Sequence, residues 1–492
     1  MIAPQPTDHD VVVIGLGPTG ATLANLLGLC GLSVLVMERA AEIYPLPRAV
    51  HFDDEAMRVF QTIGIADAVF EKTTVNKGTR FVDPDGTILL DWPRPQELSV
   101  HGWHPSYRFH QPELEEELRR ALQDYASIDV KLGHAAERIM DHGDHVTVSY
   151  RDRETDARHH ATTKYVVGCD GTRSLVREVM GTAMHQLGFE QRWLVVDLLL
   201  KREKPELGKF TLQFCDPVRP ATYCCNPGNR RRWEFALLEG EDDQEMSRPD
   251  TVWRLLSRWL SEAEADLERQ AIYSFQSAVA KAWRQGRLLL AGDAAHLTPP
   301  FMGQGMCAGI RDAANLAWKL ALCCKDHADE TLLDTYQSER HSNAASYVET
   351  AVNMGKLVNR MGAEYASKLG DSSGNGAALM QSLQLKLGPG LGNVADETRG
   401  GLFPQPRLSS GQLMDDLIGY QPVLIVDGEM VDRQIPADLQ VVATGDEPAL
   451  KPILSDMGAT AVLIRPDRYV LGSARTRGAL DRLIDDAWSS FR

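Results

Sequence analysis

From Val11 to Met37 the chain carries no charged residue, a length that could cross a bilayer. Its internal punctuation argues otherwise. Gly15, Gly17, Pro18, Gly20, Gly28 and Gly31 divide it into strand, glycine turn, helix, turn and strand, the pattern of a soluble βαβ unit. Gly15-x-Gly17-x-x-Gly20 follows the β-branched run Val11–Ile14 and opens the helical stretch Ala21–Leu29. Gly15 permits the tight turn, Gly17 lets backbone approach a pyrophosphate, and Gly20 lets helix pack close to strand. Phosphates then meet free N–H groups and the positive end of the helix. Ser33–Met37 reads as the next strand. Glu38 ends it, 18 residues past Gly20, where an acid holds a ribose hydroxyl. The motif specifies a dinucleotide without saying which.

The chain has 492 residues, about three domains at roughly 150 residues each. Its 52 basic and 68 acidic residues leave a net charge of −16, which argues against a nucleic-acid partner. The 8 cysteines form no C-x-x-C and no zinc spacing, so reduced thiols in a cytoplasmic protein are expected, with no metal site. Asp8, His9 and Asp10 precede the first apolar run, so neither a signal peptide nor a membrane span is expected.

Further along, residues 50–72 read as helix, 79–91 as a hairpin around Pro84-Asp85-Gly86, and Gln111–Asp124 as a helix with Pro112 in its first turn. Strands are expected at 128–133, 145–151 and 164–168. Between 190 and 280 the character changes. Strand-like runs at 193–200, 210–215, 221–225 and 232–238, with a helix near 250–265, suggest a separate sheet. Arg287–Ala291 reads as a buried strand and 311–324 as a helix. Residues 330–400 are mostly helical before glycine-rich stretches at 370–376 and 388–392. A last unit has strands near 422–426, 439–443, 460–464 and 469–471.

Two more segments carry chemistry. Cys169-Asp170-Gly171-x-Arg173-Ser174-x-x-Arg177 follows an apolar strand, and an Asp-Gly turn with two nearby arginines suits a phosphate-rich neighbour. In the other, Asp293 ends the strand Arg287–Ala291, where it can accept hydrogen bonds from a sugar chain. His296, Pro299-Pro300 and Gly303-x-Gly305 follow, the glycines allowing close approach of backbone amides to a ligand. His296 reads as a structural hydrogen-bonder.

The ordered set GLGPTG, PRAVHFDDEAMR, HQPELEEELR, CDGTRSLVR and RLLLAGDAAHLTPPFMGQGMCAGIRDAANLAWKL resembles the class A, single-chain FAD-dependent aromatic hydroxylases. The resemblance is dense from residue 8 to about 350. It is closest to the 3-(3-hydroxyphenyl)propionate hydroxylase subgroup, whose character also shows in CDPVRP (215–220) and RRWEF (231–235). The tail, with AVLIRPDRYVLG (461–472), resembles the thioredoxin-like domain of the phenol-hydroxylase branch. Lacking C-x-x-C, it should be redox-inactive.

The resemblance implies an α/β fold: a Rossmann-like FAD-binding domain (1–78, 100–188 and 283–400, with a helical bridge) interrupted by a β-sheet substrate domain (79–99 and 189–282). A C-terminal thioredoxin-like domain (401–492) would stand apart. It implies that Gly15, Gly17, Gly20, Glu38 and Arg39 hold the ADP half of FAD. Arg48, in Pro47-Arg48-Ala49, would approach the flavin. Gln111 would lie near the ribityl chain, and Asp170 near the pyrophosphate and the passing NAD(P)H. Asp293 would bind the ribityl chain, and Pro300, Gly303, Gly305 and Met306 would flank the isoalloxazine. The activity implied is hydroxylation of a phenol, expected to carry a carboxylated side chain, by NAD(P)H and O2 through a flavin hydroperoxide.

A phenol reacts best as phenolate, so a base is expected. His51, three residues after Arg48, is the candidate, its ordinary pKa suiting proton transfer near neutral pH; it shares the catalytic assignment with Arg48. Tyr223, Trp233 and Phe235 are candidates for the substrate wall, with core packing as their other reading. Arg219, or one of Arg230 to Arg232, could pair a carboxylate, and Asp197 or Asp216 a hydroxyl or His51. A homodimer is expected. Two alternatives stay open: a hydroxylase or epoxidase of a larger polycyclic metabolite, since fold does not fix substrate, and a non-catalytic FAD-binding redox sensor. Flavin halogenation is disfavoured because W-x-W-x-I-P is absent.

Overall fold

The first strand, His9–Ile14, lies at the centre of a parallel sheet. It pairs on one side with Val34–Glu38 and on the other with Arg158–Gly168. Ile128–Leu132 extends the sheet beyond the former and Leu288–Leu290 beyond the latter, all parallel. The computed structural model from which this architecture is taken describes residues 6–367, 385–430, 435–436 and 439–490. Val11–Val13 and Val34–Val36 are fully buried, covered on both faces, which is why their sequences are unbroken apolar runs. The helices Pro18–Leu29 and Gly305–Cys324 pack against each other. Gly309 makes that approach possible: a Cβ there would lie 2.2 Å from Thr19 Oγ1. An antiparallel extension, His134–Asp141 and Val146–Asp152, and the short edge strand Arg284–Gln285 complete this first sheet.

A second, eight-stranded sheet runs in the order His296–Leu297, Ala265–Ala280, Met184–Leu200, Arg230–Ala236, Ala221–Cys225, Thr211–Phe214, Gly78–Val82 and Ile88–Pro93. Its strands alternate cleanly. Leu194, Val196, Leu198, Tyr223, Trp233 and Phe235 cover one face and pack on the helix Pro249–Leu256. The opposite face looks toward the first domain.

Several local expectations need correction. The helix expected at 250–265 ends at Leu256, and Ala265–Ala280 is a long strand. Its charges disguise it, because Arg269 is buried as an ion-pair partner rather than exposed. Residues 50–72 open with the strand His51–Asp53, followed by the helices Asp54–Ile63 and Ala66–Glu71. Gly64 separates the two at φ +88°, a conformation open chiefly to glycine. The helix expected from 311 starts at Gly305.

The last unit is a four-stranded mixed sheet, Gln440–Ala443, Val423–Val426, Ala461–Ile464 and Val470–Ala474 in that order. It does not stand apart. Arg58 of the first domain grips Asp415 with Nε and Nη2 at 2.9 and 3.0 Å. Arg465 Nη1 donates to Glu339 Oε1 at 2.8 Å, and Asn315 Nδ2 donates to Asp467 Oδ2 at 3.1 Å. These groups are almost wholly buried. Charges this deep need their partners, so the tail is part of the main body. The glycine-rich stretch 370–376 lies outside the described residues. Among the described residues no helix is long and apolar enough to cross a membrane.

Candidate active site

At the carboxyl end of the parallel sheet the glycine fingerprint takes the conformation its spacing predicts. Gly15 has φ +101°, and a Cβ there would lie 2.4 Å from Cys169 O. A Cβ on Gly20 would lie 2.0 Å from Gly15 O, whereas Gly17 opens onto space whose nearest side chain is Arg48, 3.9 Å away. Glu38 straddles the loop: Oε2 accepts from Leu16 N–H at 2.8 Å and Oε1 from Ala40 N–H at 2.9 Å. Arg39 is exposed beside it. Arg119, from the helix Gln111–Ala121, reaches Leu16 O with Nη2 at 3.4 Å, and its buried Nε meets no partner.

Asp170 has two roles. Oδ2 caps the short helix Leu175–Met180, accepting from Leu175 N–H at 2.7 Å, while Oδ1 is buried without a partner. Burial raises its carboxyl above the usual range. Arg177 is committed to backbone carbonyls, Ala294 O at 2.9 Å among them, and Arg173 is exposed. Asp293 sits exposed on the turn that ends Leu288–Leu290. The turn beneath it is fixed by Asp312, which accepts from Gly292 N–H at 3.0 Å and pairs with His296 Nε2 at 2.7 Å and Arg340 Nε at 2.9 Å. Burial opposes ionisation of Asp312, but His296 and Arg340 outweigh it and hold the carboxyl low. Pro300, Gly303 (φ +64°), Gly305 and Met306 form the adjoining turn and the start of the long helix, all half-buried.

The loop bearing Arg48 is held from both sides. Gln111 Oε1 accepts from the N–H groups of Arg48 and Ala49 at 2.9 and 2.7 Å, and Gln111 Nε2 donates to Glu115. Gln111 is thus buried under the loop and holds its backbone. From the second sheet, Arg232 donates to the carbonyls of Pro47 and Arg48, and Arg269 donates to Pro47 O at 2.8 Å. Asp197 holds both guanidinium groups, Arg232 Nε at 2.7 Å and Arg269 Nη2 at 2.5 Å. Arg232 and Asp197, expected as substrate partners, are instead a buried clamp between the two domains. Arg219 is likewise taken, by Glu241 and by Ala236 O. Asp216 accepts from Val218 N–H in its own turn.

His51 pairs in register with Arg108 on the strand Ser106–Arg108. Its Nδ1 lies 3.2 Å from Gly303 O and its Nε2 2.8 Å from Ser106 Oγ. A carbonyl only accepts, so Nδ1 carries the proton and Nε2 accepts from Ser106. Asn76 Nδ2 in turn donates to Ser106 Oγ at 2.9 Å. Burial, reinforced by the Arg108 charge, pushes the imidazole down to about 4. This corrects the expected ordinary value. Both ring nitrogens are occupied, and so acidic a conjugate acid makes a poor acceptor for a phenol proton near pH 7. His51 ties the Gly303 turn to the Ser106 strand.

The substrate wall is also corrected. Tyr223 and Trp233 are 1% and 0% exposed, in the core on the far face of the second sheet, with Phe235 beside them. Strand alternation puts the other set of residues toward the first domain. One cross-strand row there is Gln213, Thr222, Glu234 and Val195. The row on one side of it is the Arg232–Asp197–Arg269 clamp. On the other side Trp193 meets Phe301 edge-on at 5.8 Å. Arg108 closes the space by donating to Thr211. Sequence reasoning missed Arg108, Arg119 and Glu234. The signal was present, because Glu234 alternates with Trp233 and Phe235 inside RRWEF.

The open glycine turn, the exposed Asp293, and the unpartnered buried atoms of Arg119 and Asp170 ask for a polar, phosphate-bearing ligand, and FAD fits them. Comparison with known proteins agrees. The family model described as "FAD binding domain" matches residues 8–351. The chain is 36% identical to a Rhodococcus jostii (strain RHA1) protein named "Probable NADH-specific resorcinol 4-hydroxylase", over 96% of this chain and 93% of that one. It is 35% identical to the "3-(3-hydroxy-phenyl)propionate/3-hydroxycinnamic acid hydroxylase" of Mycolicibacterium gilvum (strain PYR-GCK), over 84% and 75%. In fold it is similar to the flavin-dependent monooxygenase PieE, solved with FAD and substrate: TM-score 0.84, 20% identity, covering 99% of this chain and 100% of that one.

Proposed function

The chain belongs to the FAD-dependent aromatic hydroxylases, and from that premise we propose that its substrate is a small phenol bearing a carboxylated side chain. The enzyme uses FAD, NAD(P)H and O2. The observation that carries the substrate reading is a concentration of positive charge beside His51. The charges of Arg108 and Arg94 both bear on the His51 imidazole, with Asp53 opposing them, and a carboxylate beside Arg108 would form a charge-assisted pair. The names of the two relatives, one a resorcinol and one a hydroxyphenylpropionate hydroxylase, point the same way.

In this reading Gly15, Gly17, Gly20, Glu38, Arg39, Arg119 and Asp170 hold the adenine nucleotide end of FAD. Asp293, Gly303, Gly305 and Met306 hold the flavin end, with Pro300 beside them. Bound there, FAD supplies the hydride acceptance and O2 activation that no side chain provides. The chain's own residues position and seclude. The clamp of Arg232, Arg269 and Asp197, with Gln111, fixes the backbone from which Arg48 projects. Trp193 and Phe301 close the apolar side of the space and exclude water. The eight cysteines are free thiols, which supports a reducing location.

The direct test is purification with a flavin spectrum. NADH and NADPH oxidation, O2 uptake and product analysis follow, with resorcinol and 3-(3-hydroxyphenyl)propionate as probes. Stimulated consumption with a hydroxylated product is expected. A protein that binds no FAD, or whose NAD(P)H oxidation ignores every phenol, would overturn the reading; the second result would favour a redox sensor. His51→Ala is expected to slow hydroxylation by about 10–100-fold while weakening FAD binding much less, because it frees the Gly303 turn. Parallel FAD titration and turnover measurements check this. An unchanged rate at neutral pH removes His51 from the mechanism.

A further inference from the structure

The geometry leaves the proton of the substrate's ring hydroxyl without the base first expected. His51 has both nitrogens engaged, and Asp197 has both oxygens held by arginines. On the wall facing the flavin loops one carboxylate is differently situated. Glu234 sits mid-row between Thr222 and Val195, and its side chain keeps 12% exposure although a whole domain covers this face. Its nearest cation, Arg232 Nη1, is 3.8 Å away, beyond hydrogen-bond distance. Thr222 and Gln213, next along the row, bond to each other at 2.8 Å and leave it unengaged.

We propose that Glu234 is the catalytic base that takes the proton from the substrate's ring hydroxyl, with Arg108 facing the resulting phenolate. The proposal rests on the phenol-hydroxylase reading above. In the step, the phenolic O–H bond breaks and an O–H bond forms on Glu234. The electron pair stays on the ring oxygen, and nothing is oxidised or reduced. The charged and titratable groups that face Glu234 are Arg232 on its own strand, Asp197 and Arg269 on the two beyond, Cys224 on the other side, and Arg108 from the first domain. Burial raises the Glu234 carboxyl above the usual carboxylate range, with Asp197 adding to it and the three arginines opposing. That moves it toward the pH at which a base works best.

The test uses the purified holoenzyme and whichever of the two phenol probes stimulates NAD(P)H oxidation. Glu234→Gln is expected to keep its FAD content and melting midpoint. Its hydroxylation kcat should fall by about 10²–10⁴-fold at pH 7, with KM changed far less. The loss should shrink as pH approaches about 10, where a phenol ionises unaided. Glu234→Asp should restore part of the rate. Wild-type levels of hydroxylation in Glu234→Gln, or a loss of the same factor at every pH, would overturn the proposal while leaving the phenol reading intact. If Glu234→Gln fails to hold FAD, the wild-type profile decides. A rate that falls only as pH drops through a raised carboxyl value supports Glu234. A rate that climbs without a plateau to the phenol's own ionisation refutes it. A wild type that no phenol stimulates removes both readings together.

Discussion

Gly20→Ala is expected to yield protein that purifies colourless and takes up FAD poorly, if at all. The added methyl would lie 2.0 Å from Gly15 O and 3.1 Å from Cys169 Cβ. Neither Gly15 nor the strand beneath it can retreat, because Gly15 itself lies against Cys169 O. The helix must therefore shift off the sheet, carrying its N-terminal N–H groups out of reach of a pyrophosphate. Overpacking of this kind costs about 1–3 kcal/mol of stability, so a lowered melting midpoint should accompany the loss of flavin. Gly17→Ala separates the two effects. Its methyl meets only Arg48, at 3.9 Å, so the apoprotein should keep its stability and lose FAD affinity alone. Absorbance of the purified variants and FAD titration check both. A yellow Gly20→Ala protein of ordinary affinity would mean the helix does not form the phosphate site.

The second large effect concerns the join between the tail and the flavin-binding body. Glu339 Oε1 accepts from Arg465 Nη1 at 2.8 Å and from Leu391 N–H at 3.0 Å. Its Oε2 accepts from Lys319 Nζ at 2.7 Å and Asn315 Nδ2 at 3.0 Å. Burial alone would raise this carboxyl, but Arg465 and Lys319 outweigh it and hold it well below the usual range. Glu339→Ala leaves two buried cations facing each other, and a loss of about 3–5 kcal/mol is expected. Denaturant unfolding measures it, and a variant as stable as wild type would show the network to be dispensable. The pH dependence has a definite sign. The folded pKa lies below the unfolded one, so Glu339 stabilises fully above its unfolded value near 4.3. That contribution is lost as pH falls through the folded value in strong acid. The variant should lack this part of the acid-unfolding curve.

Much of the fold was legible in the residues. The fingerprint Gly15-x-Gly17-x-x-Gly20, the acid Glu38 and the strand before Asp293 are local signals, each with its physical requirement inside one turn of chain. The second sheet was legible as a set of strand-like runs, although Ala265–Ala280 hid behind its charges. The site was less legible. His51 and Gly303 do converge, since His51 Nδ1 meets Gly303 O, and the Arg48 side chain is the nearest to Gly17. Yet the aromatic residues that looked most like a substrate wall, Tyr223 and Trp233, face the other way.

What the sequence by itself determined is the dinucleotide site, because glycine's freedom and a helix N-terminus act over a few residues. What only the tertiary structure decided is which charges pair. Arg232, Arg269 and Asp197 come from three strands of one sheet and meet at carbonyls of a loop in another domain. Once they are satisfied there, Glu234 keeps no hydrogen-bond partner on that wall among the described residues, and burial beside Arg108 holds His51 below its ordinary pKa. A residue's pKa and availability depend on burial and on partners hundreds of positions away. No local pattern encodes them.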